Sequence, residues 1–527
     1  MHERRWPRRG RGPERGRVVP MQYALRADEM RGAERAAVEA GTTTIDELMR
    51  RAGNALANEV QRLVPHGAVT VVCGPGNNGG DGWTAAHVLR AARRDVRVIA
   101  LVSPERLDGA ARSAADAAVT AGVPWRVPAN ALEVAGDLDG AAVIIDAVFG
   151  FGSRGAPREP YASAILAIED SDTFVVSADV PSGVDADTGA VAGAAVRADL
   201  TVTFSAVKPG LLIQPGAGRA GEIVVTDLGI ARSTLESHGH IELWDRGDLR
   251  AAFPVPAPQD HKASRGRVAV VAGSTTYTGA AVLTVQGALR MGAGYVIAVV
   301  PEPVASVVRI AHPSALVRAL PASRDGACAS ATDVLKAVED ADAIVVGPGL
   351  TTSAGAMEAV RALVSHTAMP LVLDADALAA FTTDPEALAA REAPLLLTPH
   401  PGEMARLLGS DTATIQADRV AAADGMSGPW MACLLKGPHS IVAGSGREAI
   451  VLAGNEGLAR AGSGDVLSGM LGTLLAQGLM PFEAGVLGAY LHGRAADHGV
   501  AALTTTCFTS ADIVSFLPDA VRDVLGG

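Results

Sequence analysis

A short β-branched run, then a loop rich in glycine and aspartate, then an alanine-rich segment of helix length: this order recurs along the chain. It marks parallel strands covered by helices on both faces, since only a helix-long crossover returns the chain to begin a parallel neighbour. The runs lie at 69–73, 96–102, 142–146, 174–178 and 200–204 in the first half. In the second they lie at 267–271, 295–300, 343–346, 371–373, 395–398 and 433–436. Apolar residues make up 48% and aromatics only 4%, a balance that suits Val-rich strands under Ala-rich helices. The expected class is α/β. At about 150 residues per domain, a chain of 527 residues holds two large α/β domains or roughly three smaller ones.

The pattern breaks near 229–260, where FPVPAPQD is Pro-rich, so the expected organisation is a first domain over 21–232, a linker at 233–240 and a second domain over 241–527. Residues 1–20 are Arg- and Pro-rich without an apolar signal core, and read as a disordered basic extension, with Met21 as an alternative start. The net charge of −12 excludes a general nucleic-acid surface. Cys73, Cys328, Cys433 and Cys507 are dispersed, so neither a disulfide framework nor a zinc ribbon is supported and the cytoplasm is the expected compartment. The longest apolar run, 466–480, is too short for a bilayer and stops at Pro481, which predicts a buried helix and no membrane partner.

In an open parallel sheet, ligands settle beyond the carboxyl ends of the strands. Three such ends in the first half read GPGNNGGDG (74–82), DAVFGFGSRG (146–155) and DVPSGVDADTG (179–189). The first stands in the order strand, glycine loop, helix, with the helix expected from Trp83, yet it is neither GxGxxG nor a P-loop. Its paired Asn and its Asp exceed what a tight turn requires. Asp146, Asp179 and Asp185 could each cap a loop, but Asp146 and Asp179 sit at or just past strand ends, where carboxylates serve chemistry or a cation. In the second half AGSGDVLSG (461–469) feeds the long apolar segment. Its glycine turn would offer free N–H groups to phosphate, and Asp465 reads either as the cap of a buried helix or as a general base. Thr44 and Glu47 are spaced as a capping box before an amphipathic helix.

Taken in order, the three first-half motifs resemble the NAD(P)H-hydrate epimerase domain, over roughly residues 21–230. The resemblance implies that Asn77, Asn78, Gly79, Gly80 and Asp81, with Gly150, Phe151, Gly152, Ser153, Arg154, Gly155 and Ala156, hold the hydrated dinucleotide. It also implies a potassium ion on Asn78, Asp146 and Ser182, and Asp179 as the acid/base residue in contact with substrate. Lys208, in KPG after the next strand, is a further catalytic candidate or else a phosphate or carboxylate partner.

The second-half set GSTTYTGAA, VVGPGL, LDADAL, TPHPGEM, LLKGPHS and AGSGDVLSG resembles the dehydratase half of NAD(P)H-hydrate repair enzymes, over roughly residues 241–527. The implied architecture is a Rossmann-like doubly wound domain followed by a ribokinase-like α/β domain. By this resemblance Ala280, Gly349, His400 and Asp465 contact the hydrated cofactor, while Lys436, Gly437, Pro438, His439, Ser440 and Gly464 hold ADP accompanied by magnesium. Asp465 would be the base. The implied activity is metabolite repair: interconversion of R and S hydrates, then ADP-dependent dehydration of the S form to NAD(P)H with release of AMP and phosphate. A homo-oligomer is expected.

Other readings stand beside this one. AGSGDVL alone fits a ribokinase-like small-molecule kinase, against which TPHPGE argues, and the first domain could be a binding or scaffolding module that retains the fold. His400 could be an ordinary loop residue, Lys436 a solvated strand end, and Asp374 and Asp376 helix caps. Ser440 stands where the resemblance has Thr and keeps the hydroxyl, whereas Glu456 replaces a usual Pro and bears on the shape of its loop. No HExxH or dense His/Cys cluster supports a zinc mechanism.

Overall fold

The first-half strands form a seven-stranded, wholly parallel sheet. Its order is Trp125–Arg126, Val96–Ala100, Ala68–Cys73, Ala141–Ala147, Phe174–Ala178, Leu200–Phe204 and Glu222–Thr226. The chain works outward one way from Ala68–Cys73 and the other way from Ala141–Ala147, so the topological switch point lies between these neighbours. The loops that leave them nearly touch: a Cβ on Gly74 would lie 1.9 Å from the Val148 carbonyl oxygen. The computed structural model describes residues 23–324 and 326–526. The expected extension at 1–20 and the choice between Met1 and Met21 fall outside these residues.

One local expectation is corrected. The helix after Ala68–Cys73 begins at Asn77, not Trp83, and most of GPGNNGGDG is its first turn and a half. Its glycines are there for close approach: a Cβ on Gly79 would lie 2.1 Å from the Gly74 carbonyl oxygen, and one on Gly82 2.6 Å from the Ala147 side chain. The Thr44 hydroxyl does cap the helix Ile45–Leu63 by accepting from Glu47 N at 3.2 Å. The Glu47 carboxylate does not return the bond and instead takes Arg50 and Arg51.

The second half builds an eleven-stranded sheet around a parallel centre ordered Met431–Leu435, Leu395–Leu397, Leu371–Leu373, Ala343–Val346, Arg267–Val271, Tyr295–Pro301 and Leu316–Leu320. Strand order reverses between Ala343–Val346 and Arg267–Val271. Beyond Met431–Leu435 come the antiparallel strands Ile441–Gly444 and Arg447–Ile450, and the edge is finished by Ile241–Glu242 and Tyr23–Ala24. A strand from the start of the first half therefore completes the sheet of the second. Arg26 reaches Glu448 at 2.5 Å and the Leu212 carbonyl meets His439 Nδ1 at 2.5 Å, so the halves are joined at several points. The stretch 233–240 carries most of the helix Arg232–His238, which lies against the helix Ala27–Glu39.

The apolar run of the second half becomes the helix Ser463–Ala476, with every residue from Val466 to Leu475 buried, and Pro481 opens the next helix, Pro481–Cys507. It crosses the helix Thr278–Arg290 on paired glycines. A Cβ on Gly469 would lie 2.0 Å from the Thr284 carbonyl oxygen, and one on Gly287 2.2 Å from that of Val466. No helix among the described residues is long and apolar enough to cross a membrane. Because backbone rather than a flexible side chain opposes Gly469, Gly469→Val is expected to lower the unfolding free energy by about 3 kcal/mol in denaturant titrations; a variant within about 0.5 kcal/mol of the parent contradicts this packing.

Candidate active sites

A cavity of about 490 Å³ opens at the switch point of the first sheet. Asn77, Asn78, Asp81, Gly150, Phe151, Gly152, Ser153 and Asp179 line it, as do Arg31 and Glu34 from the helix Ala27–Glu39. The remaining expected substrate residues lie elsewhere. Gly79 and Gly80 are buried in helix packing, Arg154 pairs with Asp187 at 2.7 Å, and Gly155 and Ala156 are outside the lining.

Asp179 is the most constrained residue in this cavity. It adopts φ +66°, a left-handed conformation that costs of order 1 kcal/mol for a residue with a Cβ. Four donors hold its carboxylate: Oδ1 accepts from Lys208 Nζ at 2.5 Å, Thr203 Oγ1 at 3.2 Å and Phe204 N at 3.2 Å, and Oδ2 accepts from Phe151 N at 3.4 Å. Lys208 is fully buried behind it, donates also to the Phe204 carbonyl at 2.9 Å, and is not part of the cavity lining. Of the parts considered for Lys208, that of a carboxylate partner is the one this geometry displays: its ammonium is bonded to Asp179 and also lies 5.5 Å from the centroid of the Phe151 ring.

Deeper in the same crevice, the buried Asp146 accepts from Ser182 Oγ at 2.6 Å, Ser182 N at 2.9 Å and Ser177 Oγ at 2.8 Å. Burial raises its pKa, while these hydrogen bonds oppose the rise. The Asn78 amide is buried with neither Oδ1 nor Nδ2 hydrogen-bonded, and a Cβ on Gly150, next to the Phe149 whose N–H donates to Ser182 Oγ at 2.9 Å, would lie 3.2 Å from Asn78 Cγ. An unpartnered amide oxygen costs free energy unless something fills its place. With the Asp146 carboxylate and the Ser182 hydroxyl nearby, the donors are all hard oxygens, which fits an alkali cation. Asp185 is only a loop cap, accepting from Asp187 N and Thr188 N.

Glu34 and Arg31 escaped the sequence analysis. Glu34 flanks the buried stripe Met30, Ala33 and Ala37 and makes no hydrogen bond or ion pair among the described residues. Burial pushes its carboxyl up to about 7, with Lys208 opposing and Asp179 adding to the rise. Asp81 is likewise raised well above the usual range by burial, then by Asp179 and Glu34. A carboxylate bordering an apolar helical stripe was the available signal.

The second site forms at the carboxyl ends of the central strands of the larger sheet. Gly349 (φ +62°) packs GPGL onto GSTTYTGAA, since a Cβ there would lie 2.8 Å from Tyr277 Cβ and 2.9 Å from Ala280 Cβ. Asp374, buried, accepts from Lys436 Nζ at 2.7 Å, Thr398 Oγ1 at 2.8 Å and Ser468 Oγ at 2.6 Å, so it ties three strand ends to the helix Ser463–Ala476. Asp376 accepts from Thr351 N at 2.8 Å. His400 caps the helix Pro401–Leu407, its Nδ1 accepting from Gly402 N and Glu403 N. Lys436 is no solvated strand end: burial works against its charge, but Asp374, Glu403 and Asp465 together hold its pKa above the ordinary value. The loop Lys436 to Ser440 is shaped by the buried guanidinium of Arg419, which donates to the Pro438 carbonyl at 2.7 Å and the Leu435 carbonyl at 3.3 Å.

Gly462 is the N-cap, in the left-handed conformation at φ +90°, so Asp465 is the third residue of its helix and caps nothing. It makes no hydrogen bond among the described residues. A Cβ on Gly464 would lie 3.4 Å from Lys436 Nζ and 3.9 Å from Asp374 Oδ2, which brings the turn beside both charges. Burial raises the Asp465 carboxyl to about 6, with Asp374 adding to the rise and Lys436 opposing it. His492, missed from sequence, holds the turn: Ser463 O lies 3.0 Å from its Nε2, and burial lowers its pKa to about 4, which keeps the ring neutral.

Comparisons with known proteins agree with this division. A family model described as the YjeF-related protein N-terminus matches residues 45–210, and one described as NAD(P)H-hydrate dehydratase matches residues 268–518. The chain is 36% identical over 520 residues to the bifunctional NAD(P)H-hydrate repair enzyme Nnr of Moorella thermoacetica, covering 95% of this chain and 97% of that one. This chain belongs to the bifunctional NAD(P)H-hydrate repair enzymes. The repair enzyme Nnr of Escherichia coli is 34% identical over 499 residues, covering 94% of this chain and 93% of its own. The ADP/ATP-dependent NAD(P)H-hydrate dehydratase of Bacillus subtilis, co-crystallised with ATP and Mg²⁺, is 28% identical and covers 54% of this repair enzyme and 99% of its own chain, with a TM-score of 0.47. In this repair enzyme Asp374→Asn is expected to lower the pKa of Asp465 from about 6, because it removes a repelling charge and frees Lys436. Carboxyl-carbon NMR titration of Asp465 checks the direction; an unchanged or higher value contradicts it.

Proposed function

We infer that this repair enzyme interconverts the R and S hydrates of NAD(P)H at the Asp179 cavity and dehydrates the S hydrate at Asp465 with ADP as phosphoryl donor. The observation that carries the reading is Asp465 itself: without a hydrogen bond among the described residues, raised to about 6, and set in the first turn of a helix whose N-terminal N–H groups suit phosphate oxygens. A carboxylate beside transferring phosphoryl is repelled by it unless it takes a proton from the attacking group.

At the second site the hydroxyl of the S hydrate attacks the terminal phosphorus of ADP, the bond from that phosphorus to the bridging oxygen breaks, and AMP departs. Asp465 accepts the hydroxyl proton, while Lys436 and the N–H groups of Gly462 to Gly464 stabilise charge on the phosphate oxygens. Lys436, Gly437, Pro438, His439, Ser440 and Gly464 bind the nucleotide; Ala280, Gly349 and His400 bind the hydrated cofactor. Phosphate then leaves as the ring loses the neighbouring proton, which restores the dihydronicotinamide. Magnesium would accompany the nucleotide, where it would neutralise phosphate charge.

At the first site Asp179 acts as an acid/base residue, exchanging a proton with water at the hydrated carbon, and Lys208 fixes its carboxylate. Asn78, Asp146 and Ser182 are the residues that would hold potassium, which would supply positive charge to the dinucleotide site. The cytoplasm is the proposed compartment.

The test is recovery of NADH absorbance from a mixed hydrate preparation, with ADP and ATP assayed side by side. Full recovery with ADP is expected; well-folded protein that recovers nothing removes the reading, and recovery with ATP alone removes ADP as the donor. Asp465→Asn should abolish recovery, whereas Asp179→Asn should leave only the S fraction recoverable. A homo-oligomer is proposed as well, and sedimentation of the purified chain as a monomer removes that part.

A further inference from the structure

We propose that Glu34 is a second proton-transfer residue of the epimerase cavity, working on the ring face that Asp179 does not reach. The proposal rests on the assignment of Asp179 made above. Where inversion proceeds by loss and return of water, water leaves from one face of the ring and returns to the other. A single flexible carboxylate could follow it, but Asp179 cannot: its backbone is held in the left-handed region and its carboxylate is gripped by Lys208, Thr203, Phe204 and Phe151. Another group has to serve the second face.

Glu34 is the lining carboxyl with the right properties. It enters the cavity from the helix Ala27–Glu39, an element separate from the sheet edge that carries Asp179. It is half-buried and has no hydrogen-bond or ion-pair partner among the described residues, so nothing fixes its proton. The charged groups around it are Lys208 and Asp179 at the sheet edge, Asp81 on the helix Asn77–Ala91 and Arg31 on its own helix. Arg31 is turned over the Phe151 ring, 6.0 Å from its centroid, and forms no ion pair with Glu34. Burial raises Glu34 to about 7, so both its protonated and ionised forms are populated near neutrality.

The step balances without a further reactant. Hydration of an enamine places the hydroxyl on the carbon bonded to nitrogen. Glu34 donates its proton to that hydroxyl, the carbon–oxygen bond breaks with its electron pair on oxygen, and the ring-nitrogen lone pair forms the carbon–nitrogen double bond. Water then adds from the other face, the double-bond pair returns to nitrogen, and Asp179 takes the proton of the adding water. The opposite interconversion runs the same steps backward, with Asp179 as acid and Glu34 as base.

The test uses the full chain with Glu34→Gln and Glu34→Asp, following interconversion of separated R and S hydrates by chromatography without nucleotide. Glu34→Gln is expected to lower the epimerase kcat by about 10²-fold or more with KM nearly unchanged, and Glu34→Asp to restore part of the loss. The bend in the wild-type kcat profile near neutral pH should vanish in Glu34→Gln. Dehydration of pure S hydrate with ADP should be unaffected, which reports that the variant is folded. An epimerase kcat within about threefold of wild type, or a loss confined to KM, overturns the proposal. If Glu34→Gln alone retains activity, only this inference falls; if Asp179→Asn retains it too, the assignment of Asp179 falls with it.

Discussion

In each half a buried aspartate just beyond the end of a central strand meets a lysine from the end of another: Asp179 with Lys208 of the adjacent strand at 2.5 Å, and Asp374 with Lys436 two strands away at 2.7 Å. Removing one member of such a pair strands the other charge in low dielectric, at a cost of about 3–5 kcal/mol. The pairs therefore pin the loops that carry the ligand-facing residues, with Lys208 fully buried and Lys436 left partly exposed. They also set the field in which the unpaired carboxyls work. Glu34 responds to both members of the first pair and Asp465 to both members of the second, and each lies above the ordinary carboxylate range. At the second site the fixed pair and the titrating Asp465 are thus separate residues, which lets geometry be rigid while proton affinity stays adjustable.

The two halves use their glycines for the same physical end. At Gly74, Gly79 and Gly82 in the first half, and at Gly287 and Gly469 in the second, backbone meets backbone or a buried side chain at distances that exclude a Cβ. Close approach brings the helix N-termini at Asn77 and Ser463 down to the sheet edge, where their free N–H groups face the ligand side. A loop long enough to do this with larger residues would hold the same groups less firmly.

What could be read in the sequence followed from how local each signal is. The parallel strands were legible because β-branched runs buried on both faces are apolar throughout, and the loops because glycine, aspartate and asparagine cluster at the strand ends. The strands Ile441–Gly444 and Arg447–Ile450 escaped because their polar stretch GSGRE breaks the run, and Tyr23–Ala24 and Ile241–Glu242 because two residues carry no period. Asp465 could not be separated from a helix cap until Gly462 was seen to occupy that position. For Lys208 the sequence left a catalytic part and a carboxylate partner side by side, because its burial against a residue 29 positions earlier is set by the fold. Glu34 carries no motif at all; only the fold brings its helix over the cavity.

The sheet edge shared by Tyr23–Ala24, Ile241–Glu242 and Arg447–Ile450 has a consequence for the order of folding. Tyr23 is synthesised well before its partner strand, which is made some two hundred residues later, and that strand's other neighbour later still. At about 5–20 residues per second the ribosome takes some tens of seconds to span this gap. Through that interval the first sheet can close from its own strands, while Tyr23–Ala24 waits as an unpaired edge. Its docking is a late, long-range event, of the kind that slows folding most, and it sews a nearly finished first half to the last sheet to be completed.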